Sequence, residues 1–232
     1  YASGEKLVSL NNGDYRFENE SSFMRFRRIA GGGWEAHSPD GIRYVFGESE
    51  NGRVDNHLGD LGYLGNDVAL SFGFFQFWRL KEMLLRVHRE VFGHRYLMDF
   101  VVPGGAASDL GVAEFQRLGE VLAYIKGESA ALRAIYDEHA GAQDRFIMTG
   151  QVAPELAERL GLTGVAGRAS AQDYDLRADL PVPPYHDLQV AKSGHIRGDV
   201  SARVSVRFEE LADSLRLISE LLKRIPGGVL RV

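Results

Sequence analysis

Between Gly198 and Pro226, Val204, Phe208, Leu211, Leu215, Ile218 and Leu222 recur at alternating steps of four and three, the spacing that holds side chains on one stripe of a helix. The stripe predicts a helix with one buried face, on the order of 40 Å long at a rise of about 1.5 Å per residue. Asp199 stands where an N-cap is needed, and Pro226, Gly227 and Gly228 supply the stop. Asp213, Arg216, Glu220 and Arg224 are spaced to pair along the outer face, each pair contributing roughly 0.2–0.5 kcal/mol. The same period appears upstream. Val54, His57, Leu58, Leu61 and Leu64 mark a helix from Arg53 with an interruption at Gly65, Asn66 and Asp67, and Phe72 to Phe92 carries a second helix closed by Gly93. A third runs from Ala113 to about Glu138, with Phe115, Leu118, Val121, Leu122, Ile125, Leu132 and Ile135 as its inner face and a bend expected at Gly127. The aromatic group Phe72, Phe74, Phe75, Phe77 and Trp78 is expected in helix–helix core. Pro154 opens a short helix that Gly161 closes. Thr163 to Val190 reads as loop because of Pro181, Pro183 and Pro184, and Lys192 to Arg197 reads as a strand.

Tyr1 to Gly47 follows another pattern: short apolar and aromatic runs separated by Asn12-Gly13, Gly31 to Gly33 and Asp40-Gly41, which are hairpin-turn residues. Four or five strands are expected, and the strand signals stop at Glu48 to Asn51. The fold class is therefore α+β: a small antiparallel β-meander over residues 1–50, then a mainly helical bundle over 51–232. No internal repeat or low-complexity segment is evident after Arg53.

Composition narrows the chemistry. The 232 residues are 44% hydrophobic, enough for a substantial core, and the formal net charge of −5 gives no basic face for nucleic acid. There is no cysteine, which removes disulfides, thiolate nucleophiles and cysteine-held metals together. The most apolar run, Val68 to Leu80, is too short for a bilayer span and meets Arg79, Lys81 and Glu82; the opening Tyr1-Ala2-Ser3-Gly4-Glu5 lacks the features of a signal peptide. These traits lead to the expectation of a soluble, cytoplasmic protein. The seven histidines form no metal-binding frame, so no metal site is expected, and Ser170 and Ser214 lie in no nucleophile-elbow context. Adjacent Glu209 and Glu210 should point apart, as on a solvated or salt-bridged face.

Two resemblances extend the reading. Tyr15-Arg16, Phe23, Arg25, Phe26, Trp34 and the run Ser38 to Gly47, SPDGIRYVFG, resemble a hairpin unit of the β-rich shells of insecticidal toxin complexes and Rhs-type repeat proteins. A second resemblance covers Arg53 to the C-terminus. It is carried by Arg53 with Asn56, His57 and Leu58; Gly62, Gly65 and Asn66-Asp67-Val68; Phe92 to Arg95; Val102 to Gly105 with Asp109-Leu110; Gly161, Gly164-Val165, Arg168 and Ser170; and Asp175 to Arg177. It continues through Arg197-Gly198-Asp199, Arg203, Arg207 and Glu210, then Ser214-Leu215 and Ile225-Pro226. In that order these blocks resemble the middle of the large subunit of group 4 membrane-bound [NiFe] hydrogenases, of formate hydrogenlyase and hydrogenase-4 type. They are similar also to the hydrogenase-derived, quinone-pocket subunit of respiratory complex I, the NADH:quinone oxidoreductase.

The resemblance implies a bundle of long helices, with Gly198 to Pro226 among the central ones. In the hydrogenases four cysteines flanking the matched region hold a nickel–iron centre; in the complex I relative the subunit walls a quinone cavity beside an iron–sulfur partner. This chain has neither cysteine pair. The expectation is the central fragment of an oxidoreductase large subunit that binds no cofactor and is inactive alone. Its expected partner is an iron–sulfur small subunit, and through it a membrane arm, on the cytoplasmic side of the inner membrane. Asp67 matches the aspartate that hydrogen-bonds the quinone-binding histidine, a tentative catalytic assignment set against a helix-terminal cap, because the histidine's own motif has no match here. Arg168, Asp199, Arg203, Arg207 and Glu210 match positions expected to form a buried ion-pair network. The family's glutamate ahead of the first arginine is replaced by Gly52. That departure at the junction of the two resemblances suggests a composite reading frame. The alternatives are a toxin-type β-shell fragment and a non-catalytic helical interaction module.

Overall fold

In the computed structural model the chain divides into two compact units, Tyr1–Glu50 and Asn51–Val232. The structure describes the backbone of residues 7–9, 14–17, 25–28, 34–37 and 43–46 of the first unit and residues 51–67, 70–103 and 105–225 of the second, the latter without the side chains of 51–53, 55 and 66. In the first unit β1 (Leu7–Ser9), β2 (Asp14–Phe17), β3 (Arg25–Arg28), β4 (Trp34–His37) and β5 (Arg43–Phe46) pair in sequence order as an antiparallel meander. Register runs from Val8 opposite Arg16 and Tyr15 opposite Phe26 to Phe26 opposite Ala36 and Ala36 opposite Tyr44. The proposed turn residues at Asn12-Gly13, Gly31 to Gly33 and Asp40-Gly41 lie outside the described residues.

The second unit is built on four long helices, α1 (Asn51–Asp67), α2 (Ser71–Phe92), α3 (Val112–Glu138) and α8 (Val200–Arg224). Helix α1 packs on α2 and α8, and α3 packs on the same two, which closes a four-helix ring. The core lies along its axis: Val54, Leu58 and Leu61 from α1, Phe77, Leu80, Leu84 and Val87 from α2, Leu118, Val121, Leu122, Ile125 and Leu132 from α3, and Val204, Phe208, Leu211 and Leu215 from α8, with Ile218 and Leu222 at its edge. The stripe read from Val204 to Leu222 is the face α8 turns to this core, and a second face with Ala202, Val206, Glu210, Asp213 and Leu217 is buried as well.

Several expectations change in detail. Gly65 to Asp67 does not interrupt α1 but forms its last turn, because Gly65 O accepts from Leu70 N and starts the turn into α2. Of the aromatic group only Phe77 belongs to the buried core; Phe72 and Phe75 are exposed, and Phe74 and Trp78 are half-buried. In α3, Tyr136 is buried and Ile135 is exposed, and the helix runs through Gly127 as one element. Gly93 ends α2 in the left-handed conformation, its N–H donating to Arg89 O.

Between α2 and α3 a two-stranded hairpin, β6 (Val101–Val102) and β7 (Gly105–Ala106), turns at Pro103. After α3 come four short helices: α4 (Ala140–Phe146), α5 (Pro154–Leu160), α6 (Gly164–Ala169) and α7 (Leu176–Asp179), with a 3-10 turn at Tyr185–Asp187. Thr163 to Val190 is therefore less irregular than its prolines imply, because they cluster after α7. Residues 192–197 are not a strand. They pass beside the end of α6 with a bend at Ile196 and Arg197, and there Arg168 O accepts from His195 N, His195 O from Ala171 N and Ala169 O from Gly198 N.

Candidate functional site

Two carboxylates one turn apart on α8, Glu210 and Asp213, lie in the interior at 1% and 6% exposure. An ionised carboxylate at that depth must be paired. Glu210 Oε1 accepts from Arg168 Nε at 2.5 Å, and Arg168 Nη2 reaches the same oxygen. Its other oxygen lies 3.4 Å from His57 Nε2 of α1. Arg168 Nη1 donates to Tyr174 O at 3.0 Å. Asp213 is held on one oxygen by Arg216 Nη2 at 2.5 Å and faces Arg177 Nη1 at 3.9 Å with the other. Arg177 in turn grips Asp175 with two parallel bonds, Nε to Oδ1 at 3.1 Å and Nη2 to Oδ2 at 2.7 Å. Burial opposes the Arg177 charge, but the Asp175 hydrogen bonds and the charges of Asp175, Asp213 and Glu210 outweigh it and raise its pKa. Two arginines from the 163–199 segment thus fasten that segment to α8.

Asp199 caps α8, Oδ1 accepting from Ala202 N at 2.7 Å and Oδ2 from Met148 N at 3.0 Å. Burial alone would push its pKa up; the two backbone N–H groups outweigh this and lower it. Gly198 sits at φ +65, and a Cβ there would lie 1.9 Å from Val152 O, so only glycine lets the three loops meet at this cap. Arg203 donates to Gly198 O at 2.7 Å and Gly150 O at 3.2 Å. Burial and then Arg207 lower its pKa. Arg207 reaches Asp60 Oδ2 at 3.0 Å.

The five residues assigned to one network therefore come from α6 (Arg168), the cap of α8 (Asp199) and α8 itself (Arg203, Arg207 and Glu210). Arg168 and Glu210 are joined in the interior, Asp199 is a cap, and Arg203 and Arg207 are half-buried beside it. His57, Asp175, Arg177 and Asp213 were not assigned to it, although each carries a signal: a histidine inside an apolar stripe, an Asp-x-Arg pair, and an acid three residues after Glu210. Asp213 does not lie on the outer face and Glu210 is not on a solvated one, because arginines from outside α8 reach both. Glu209 does face outward, its Oε1 3.0 Å from His195 Nε2 and 3.5 Å from Arg133 Nη2. Asp67 is exposed at the last residue of α1.

Between the ends of these helices lies a small apolar cleft, with an enclosed space of about 30 Å³, walled by Leu61, Leu64, Gly65, Leu70, Phe77 and Phe208 among others. Tyr136, whose pKa burial raises, lines it too. Among the described residues no group of three or more His, Asp or Glu side chains is placed to hold a metal ion. The residues present also do not fit a nickel–iron centre, whose thiolate donors require cysteine.

Comparison with known proteins identifies this architecture. The profile of the respiratory-chain NADH dehydrogenase 49 Kd subunit matches residues 67–232. An NADH-quinone oxidoreductase chain of Bacteroides thetaiotaomicron is 31% identical over 187 residues, covering 81% of this chain and 35% of that protein. NADH-quinone oxidoreductase subunit 4 of Thermus thermophilus is 33% identical over 193 residues, covering 82% and 46%. A chain of the membrane-bound sulfane sulfur reductase, an archaeal respiratory membrane complex, shares the fold with a TM-score of 0.73 at 24% identity, over 78% of this chain and 49% of that one. The chain thus spans about a third to a half of the relatives it matches. These relatives favour the oxidoreductase reading over the toxin-shell alternative. The chain belongs to the family of the 49 Kd subunit of respiratory-chain NADH dehydrogenase.

Proposed function

We propose that this chain is the central part of the quinone-pocket large subunit of a respiratory oxidoreductase, that it packs against an iron–sulfur small subunit, and that it is catalytically silent alone. The observation that carries the proposal is a family match over residues 67–232 in a sequence without cysteine, which supports quinone chemistry in the parent enzyme over nickel chemistry. In this reading Asp67 stands outside the apolar cleft, two residues beyond Gly65, which lines its wall. Its exposed carboxylate would orient a quinone-binding histidine supplied by another part of the assembly and favour its protonated form. The Arg168–Glu210 and Arg177–Asp213 pairs would keep that wall rigid. No helix among the described residues is long and apolar enough to cross a membrane; the proposed attachment is peripheral, on the cytoplasmic side, through partner proteins. Residues 1–50, outside the family match, are proposed to be of separate origin, which the DNA flanking the reading frame would test.

Co-expression of the full chain with an iron–sulfur small subunit of this enzyme class tests the main proposal. One co-eluting complex is expected, and chain made alone should bind hydrophobic dye through its uncovered surface. A chain that stays monomeric, melts cooperatively, binds no dye and ignores the small subunit refutes it and favours a self-sufficient helical module.

A further inference from the structure

The segment from Asp173 to Val182 is inside out. Its Arg177 and Asp175 are buried, while Tyr174, Leu176, Leu180 and Val182 are 63–72% exposed. A helix of four residues does not hold itself together, and α7 is held from beneath. Arg168 fixes the Tyr174 carbonyl. Arg177 binds Asp175 and faces Asp213 of α8. Asp179 accepts from Asp175 N at 2.9 Å. Lys192 Nζ ties the two ends of the turn, 3.2 Å from Asp173 O and 2.5 Å from Asp179 Oδ1. The bonds of Arg168 and Arg177 point inward, the Lys192 tie lies at the surface, and the apolar side chains are left outside on a turn that is already fixed, with Leu176 and Leu180 four residues apart.

Its rim is acidic. The Asp173 and Asp187 side chains are each 69% exposed, Asp187 touching His186 at 3.1 Å. Of the nearby cations, Lys192 is shared between Asp179 and Asp173, whose Oδ2 lies 3.7 Å away, and Arg224 is paired with Glu220, so with Asp187 the acids remain in excess. A second copy of this chain docked about a two-fold axis would set the same carboxylates against each other, so the charge favours an unlike partner.

We infer that Tyr174, Leu176, Leu180 and Val182 form a docking surface for a partner protein with an apolar contact face rimmed by lysine or arginine. This rests on the proposal that the chain is one subunit of an assembly, and it says where the partner sits. The test uses the full chain and the small iron–sulfur subunit, with binding followed by calorimetry at low and high salt. The substitutions L176D/L180D change only exposed side chains and should leave the circular dichroism and melting temperature unchanged while weakening binding at least 30-fold. D173N/D187N should weaken it several-fold at low salt and little at high salt. Wild-type binding that L176D/L180D leaves intact overturns the docking surface while the subunit proposal stands. If the wild-type chain does not bind at all, the subunit proposal falls and this partner with it. A wild-type dimer that L176D/L180D dissociates makes a second copy the occupant and overturns the inference.

Discussion

Replacing Arg168 with Met should be among the most damaging single changes in the helical unit. It keeps most of the side-chain volume and removes the charge that neutralises Glu210, a carboxylate 2% exposed in its side chain. It also removes the donor to Tyr174 O. Breaking a buried pair from one side costs about 3–5 kcal/mol, most of it the penalty for the stranded charge. At roughly 2–4 °C per kcal/mol for a unit of this size, the melting temperature followed by circular dichroism should fall by about 6–20 °C. E210Q, which leaves a buried guanidinium with half its partners, should cost about 2–4 kcal/mol by the same reasoning. The double variant R168M/E210Q leaves neither charge and should be more stable than the sum of the single losses by about 2 kcal/mol or more. Losses that add to within about 0.5 kcal/mol would show that the two residues do not act as a pair, and would refute the account of how the 163–199 segment is fastened to α8.

G198A should destabilise by several kcal/mol, because the added methyl meets Val152 O at 1.9 Å, whereas G93A, at φ +80 in open space, should cost only about 1 kcal/mol in urea denaturation. D199A removes both the α8 cap and the acceptor for Met148 N and should cost about 2–4 kcal/mol, with D199N recovering much of it. Because the Asp199 pKa is lowered in the folded state, its contribution is present above the ordinary aspartate range and disappears as pH falls below it; a stability curve of D199N in acid should be flatter than wild type. Glu82 is held at a pKa of about 2, first by its hydrogen bonds from Arg95 and then by those from Arg86. Its contribution, on the order of 1 kcal/mol for so exposed a group, should be constant above pH ~4.5 and vanish toward pH ~2, and R95A should remove most of that acid sensitivity.

Much of the fold is legible in the order of residue types. The step-of-four-and-three stripes place the four long helices, Gly93 and Gly161 end two of the eight helices among the described residues, and the short aromatic runs between turn residues place the meander, because these signals act within a few residues of chain. The charged interior is less legible. The i,i+3 spacing of Asp213 and Arg216 describes a surface pair as well as a buried one, and only the approach of Arg177 from 36 residues upstream decides between them. Likewise the Asp175-Leu176-Arg177 run says nothing of which side faces inward.

The sequence by itself determined where the long helices lie, most of the apolar stripe each buries, and, through the missing cysteines, which metal chemistry the chain cannot support. Only the tertiary structure decided that Glu210 and Asp213 are interior, that Arg203 and Arg207 stand apart from them, and that Leu176 and Leu180 face outward. The physical reason is that a stripe of leucines has one low-energy fate whatever it packs against, whereas a buried charge is tolerable only if a particular partner arrives from elsewhere in the chain.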